Sequence, residues 1–167
     1  MRNIERGLSL LELLVVLSIV GILAIISIPS VVSIVQNHRL SGTGEKLYYD
    51  LQYARSEAVK NNTNIYVSFQ SGNSWCYGIS SGATCNCSIA NNCNLGATVG
   101  GSQQLTLSIT GLSANTVQFE GTRGAANASG SVTLAVSGQA TPLITISIGM
   151  LGGLQMCSTG IGGYAGC

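Results

Sequence analysis

From Leu8 to Ile28 the chain is apolar at almost every position, interrupted by Glu12 and by the small residues Ser9, Ser18, Gly21 and Ser27. A run of that length suits a membrane-spanning helix, because about 20 residues at roughly 1.5 Å of rise cover the hydrocarbon core. Further on the pattern becomes amphipathic. Leu47, Leu51, Ala54 and Ala58 recur at helical spacing, while Glu45, Lys46, Asp50, Glu57 and Lys60 fall on other faces and read as a solvated helix surface rather than a ligand site. Asn61-Asn62-Thr63-Asn64 supplies a stop, so one helix from about Leu8 to about Lys60, roughly 80 Å long, is predicted. Within it, Ser41-Gly42-Thr43-Gly44 predicts a bend or frayed turn, since each glycine costs a helix about 1 kcal/mol relative to alanine.

After residue 64 the period drops to two. Ile65, Val67 and Phe69 alternate with polar neighbours, and further strands are predicted at Trp75–Ser80, Leu105–Ile109, Val117–Glu120, Val132–Val136, Leu143–Ile148 and Gly153–Met156. They are short and separated by Gly, Ser, Asn and Thr, with no helical pattern between them. The predicted class is therefore α+β: a long amino-terminal helix, its hydrophobic half transmembrane, packed on antiparallel sheets.

Charge sharpens this picture. Of 13 charged residues in 167, eleven lie in the first 60 positions, and the other 107 residues hold only Glu120 and Arg123. One histidine, His38, and one aspartate, Asp50, both on predicted helix, leave almost no material for Ser/His/Asp or Cys/His chemistry, and no enzyme is expected. Residues 37–167 carry five cations against four anions, which is no strongly basic nucleic-acid surface. Arg2 and Arg6 against Glu5 in the head Met1–Gly7 favour a cytoplasmic amino terminus and a translocated carboxy-terminal part. A secretory signal peptide fits less well, having a shorter apolar core and no acid inside it.

Glu12 needs a partner, because a carboxylate at hydrocarbon depth costs on the order of a few kcal/mol. Cleavage between Gly7 and Leu8 would create an amino group one turn before it. Arg6-Gly7-Leu8-Ser9-Leu10-Leu11-Glu12-Leu13 resembles the type III signal of type IV prepilins and type II secretion pseudopilins. That resemblance implies a leader of residues 1–7 removed by a prepilin peptidase, methylation of Leu8, and assembly through Glu12. Leu8 stands where phenylalanine is more usual, and Pro29 falls at the family's usual proline, where it removes a helical hydrogen bond. It further implies a filament-core half at 8–36 and a periplasmic or extracellular globular part at 37–167.

Leu47, Leu51, Ala54-Arg55-Ser56-Glu57-Ala58, Asn61, Val67, Trp75 and Gly78 are similar to the signature of the FimT/FimU/GspH group, with weaker likeness at Phe119, 130–134 and 146–149. The resemblance implies a pilin-like fold with two antiparallel sheets, a single-pass inner-membrane stage and then a place in a surface pilus. It also implies three functions. One is a minor type IV pilin that primes assembly and sits at or near the tip, with other minor and major pilins as partners. A second is a DNA-binding minor pilin for natural transformation. For that role the group shows a glycine-arginine motif, whereas this chain has Gly149-Met150-Leu151-Gly152-Gly153-Leu154-Gln155, so Arg123, Lys60 and Arg55 would have to suffice. The third is a minor pseudopilin of type II secretion.

Cys76, Cys85, Cys87, Cys93, Cys157 and Cys167 form an even set in the translocated part, so three disulfides are expected. Of the 15 possible pairings, Cys157 with Cys167 would tie down a glycine-rich tail, and Cys76 is expected to pair into the Cys85/Cys87/Cys93 loop. A zinc site at Cys85-x-Cys87 and Cys93 lacks histidine and ribbon spacing, and no metal or cofactor is expected. Gly121–Gly124 and Gly160–Gly163 read as turns, and Trp75, Tyr77 and Tyr48 as core rather than a stacking platform for bases.

Overall fold

The computed structural model describes residues 9–100 and 104–167, and describes residues 24–31 by their backbone alone. The contacts divide the chain into two units, residues 1–36 and 37–167. Helix α1, Leu10–Asn61, runs through both. In the first unit every described side chain from Ser9 to Leu23 is exposed, Leu10 by 78%. Among the described residues no helix is long and apolar enough to cross a membrane; part of the apolar segment 8–28 lies outside them or is described by backbone alone.

In the second unit α1 lays one stripe on the sheets. Leu40, Leu47, Leu51, Ala54 and Ala58 are fully buried. Ser41–Gly44 is not frayed and remains helical. Gly44 has a packing role there: a Cβ at that position would lie 3.0 Å from the Ile144 side chain, so the missing methyl lets the helix approach the sheet. Tertiary packing outweighs local propensity at that turn.

Nine strands follow: β1 Ile65–Gln70, β2 Cys76–Ser81, β3 Gly96–Val99, β4 Leu105–Thr110, β5 Thr116–Phe119, β6 Gly130–Val136, β7 Leu143–Ile148, β8 Leu154–Thr159 and β9 Ala165–Gly166. They form a four-stranded sheet in the order β3-β2-β1-β5 and a five-stranded sheet in the order β4-β6-β7-β8-β9. Alternation decides the faces. Val132, Leu134 and Val136 of β6 and Ile144, Ile146 and Ile148 of β7 are buried, and between them stand Ser131, Thr133, Thr145 and Ser147. The sheets are antiparallel as expected, and among the described pairings only the two-residue pairing of β8 with β9 is parallel. β3 and β9 were not legible as strands, and the last long strand runs Leu154–Thr159 rather than Gly153–Met156. A parallel pair this short forms because Cys157, in β8, is bonded to Cys167 and holds the tail alongside.

Candidate functional site

The amino-terminal site begins outside the described residues: Gly7, Leu8 and the 1–7 leader fall there, and Pro29 is described only as helical backbone. Glu12 lies in the first turn of α1 and is exposed. An acid there suits the positive end of the helix dipole and stands within reach of any cation placed before it. Leu10, Leu13, Leu17 and Val20 and also Leu11, Leu14 and Val15 are exposed, so the apolar surface goes all the way round. A helix of that kind is stable only when lipid or neighbouring protein covers it.

A second group of residues surrounds Arg55. Its Nε donates to the Gly124 carbonyl at 3.1 Å, which fixes the turn after β5 against the helix. The β7–β8 turn closes on the same point. A Cβ on Gly152 would lie 1.9 Å from the Gly124 carbonyl oxygen and 2.9 Å from Arg55 Nε. The Ala126 N–H donates to the Met150 carbonyl at 3.0 Å. The tip of that turn is apolar and solvent-facing, Met150 by 62% and Leu151 by 86%.

The three cations considered for DNA are therefore not equivalent. Arg55 is half-buried and engaged with main chain, and Lys60 lies 3.5 Å from Glu57, whose other oxygen accepts from Asn61 Nδ2. Arg123 is exposed on the turn. The β7–β8 turn presents Met150 and Leu151 to solvent, and no cation. We expect residues 37–167 within the full chain to show no salt-sensitive DNA binding at about 0.15 M salt, because too few cations face outward to release counterions. A titration in which affinity falls steeply with added salt would refute this.

Sequence reasoning missed a polar cluster joining the helix to the first sheet. Lys46 Nζ donates to Asp50 Oδ2 at 2.8 Å, to Thr98 Oγ1 at 2.8 Å and to the Tyr77 hydroxyl at 3.2 Å, and that hydroxyl donates to Asp50 Oδ2 at 2.7 Å. Lys46 and Asp50 at spacing four beside the Leu47/Leu51 stripe were the available signal, yet that spacing is also common on solvated helices. Burial, with the Asp50 carboxylate beside it, pushes the Tyr77 phenol up to about 12, against the lowering effect of Thr98 and Lys46. Burial works to lower Lys46, but its hydrogen bonds to Asp50 and Tyr77 prevail and the net shift is upward.

Both folded groups hold their protons more tightly than the unfolded chain does, so the stability they confer is complete below pH 10 and lost as pH rises toward 12. Urea unfolding across that window should show a falling midpoint, and Tyr77→Phe should flatten most of the fall. An unchanged slope in the variant would refute the assignment.

The disulfides are Cys76–Cys87, Cys85–Cys93 and Cys157–Cys167, and the described residues contain no free cysteine. The first two overlap in sequence and clamp residues 82–95 onto the first sheet beside Gly78. Next to them a cleft of about 420 Å³ is lined by Ser68, Gln70, Thr84, Asn86, Asn115 and Thr116 among others, side chains that can hydrogen-bond but not exchange protons near neutral pH. The tail returns to the helix, where the Tyr164 hydroxyl donates to Glu45 Oε1 at 2.6 Å; that bond raises the phenol's pKa.

A helix whose described side chains at 9–23 are exposed and mostly apolar with one acid in the first turn, and whose residues Leu40, Leu47, Leu51, Ala54 and Ala58 are buried in a part built of two small sheets, defines a pilin-like protein. The chain belongs to the GspH family: the model described as type II transport protein GspH matches residues 43–152. The prokaryotic N-terminal methylation motif matches residues 2–28, and together these matches place the chain in the FimT/FimU/GspH group. Among solved structures it is similar in fold to the type IV minor pilin FimU of Pseudomonas aeruginosa, with a TM-score of 0.55 and 24% identity over 72% of this chain and 98% of that one. No curated protein matches the chain.

Proposed function

We propose that this chain is a minor type IV pilin without catalytic activity, which helps to prime a filament and occupies its tip or the region next to it. The observation that carries the reading is the exposed, all-round apolar surface of Ser9–Leu23 with Glu12 in its first turn, within a methylation motif at residues 2–28. In this reading a prepilin peptidase cuts between Gly7 and Leu8, and Leu8 is methylated. Before assembly residues 8–36 span the inner membrane with the carboxy terminus in the periplasm, and afterwards they pack among other pilins. The new amine and Glu12 attract in an apolar medium, where an unpaired carboxylate is costly, so pairing selects one axial register between neighbouring helices.

Gly7→Ala should leave the leader attached, read as an intact mass by mass spectrometry. Glu12→Ala should be trimmed normally but lost from sheared filaments, with the chain remaining in the membrane fraction. Variant chains recovered in filaments at the wild-type level would overturn the role of Glu12. The family description keeps a second placement, as a minor pseudopilin of type II secretion. Deleting the chain separates the two, since loss of surface filaments with secretion intact supports the pilus.

A further inference from the structure

We propose that strand β3 is a docking edge which receives, as an added strand, an extended and uncharged segment of a different subunit; this rests on the assembly role proposed above. Hydrogen-bond alternation carries the argument. The Gly100 N–H donates to the Trp75 carbonyl, which makes the next in-phase pair, Tyr77 with Thr98, the hydrogen-bonded one. Ala97 and Val99 therefore turn their N–H and C=O groups away from β2, and among the described residues no main chain or side chain meets them.

The other edges are treated differently. On β5 the outward groups of Gln118 are satisfied by Asn127, through its Oδ1 at 2.8 Å and its N–H at 3.0 Å. On β4 the Leu107 main chain exchanges hydrogen bonds with Gly72 at 2.9 and 3.2 Å. β9 has two residues and is tethered by Cys157–Cys167. β3 carries none of the usual deterrents to strand addition: Gly96-Ala97-Thr98-Val99 contains no proline and no charge.

Its surroundings suit an extended peptide. Val99 is 66% exposed on one side of the edge. On the other, Tyr53, 45% exposed, borders the same cleft as Gly96, Ala97 and Thr98 and offers an aromatic anchor for an alternate side chain of the incoming strand. The nearby charges, Lys46 and Asp50, already neutralise one another. A second copy of this chain would match the hydrogen bonds, Ala97 against Val99 about a two-fold axis, but that axis sets the two helices running in opposite directions. Chains anchored in one membrane by the same amino-terminal segment run the same way, so the added strand belongs to another subunit.

The test follows amide hydrogen exchange at Ala97 and Val99 in the full chain, alone in detergent and in the assembly recovered from its own cells through a tag on this chain. Both amides should exchange freely in the isolated chain and slow by about tenfold or more in the assembly, the usual consequence of closing an edge hydrogen bond. Ala97→Pro removes an outward donor and leaves the bonds to β2 intact. It should close all three disulfides and remain in the membrane, yet its recovery in the assembly should fall about tenfold in parallel with the lost protection. An assembly that forms with both amides still exposed overturns the docking edge and leaves the assembly role standing. Protection that grows with concentration in the isolated chain assigns the edge to a second copy and also overturns the proposal. A chain that enters no assembly removes the assembly role and this inference with it.

Discussion

Gly152→Ala should destabilise the globular part by about 3–5 kcal/mol, read as a large drop in the urea midpoint of the full chain in detergent. Two effects add. The residue has φ +75°, a left-handed conformation that costs a side-chain-bearing residue about 1–2 kcal/mol. The new methyl would also stand 1.9 Å from the Gly124 carbonyl oxygen, a main-chain atom held in place by Arg55. Nothing at that contact is a flexible side-chain end, so the β7–β8 turn must lift and the Arg55 hydrogen bond must break. The buried Trp75, the single tryptophan, reports the transition by fluorescence. Gly153→Ala is the control, because a Cβ there meets nothing within 4 Å. Equal midpoints for the two variants would refute the account.

Gly78→Ala should prevent closure of Cys85–Cys93. A Cβ at residue 78 would lie 2.2 Å from Cys93 Sγ and 3.1 Å from Cys85 Sγ, so the disulfide rests on the bare face of that glycine. Two thiols should then alkylate in the folded protein, with a stability loss of about 2–4 kcal/mol from the unclosed loop. Three intact disulfides in the variant would show that the bridge does not need the glycine.

Most of the architecture was legible because it follows from period. The Leu47/Leu51/Ala54/Ala58 stripe lies on the sheets with every member fully buried, and the alternation from Ile65 onward marks β1 through to Gln70. Elements without a period were missed. Gly96-Ala97-Thr98-Val99 is a strand only because β2 pairs with it, and Ala165-Gly166 only because a disulfide brings it to β8. That the turn at Gly44 does not fray was not legible, because propensity does not contain Ile144, the long-range neighbour that the glycine admits.

The candidate site divides in the same way. Arg55 of the Ala54–Ala58 motif was visible as a residue, but its part in seating two turns depends on Gly124 and Gly152, 69 and 97 positions along the chain from it. Trp75 and Gly78 were likewise visible as a pair. Their reasons appear only in three dimensions, where Trp75 stacks on Tyr77 with ring planes 2° apart and Gly78 leaves room for a sulfur bridge.

The overlapping bridges have a mechanical consequence. When force is applied along the chain, tension entering at Cys76 crosses to Cys87, runs back through Asn86 to Cys85 and crosses again to Cys93. The remaining residues between 76 and 93 hang as slack loops outside the loaded path. Oxidised, this stretch is a short and inextensible link at the margin of the first sheet. Reduced, it becomes a long compliant tether, so a reducing agent should add a discrete increment of contour length in single-molecule pulling without changing any residue.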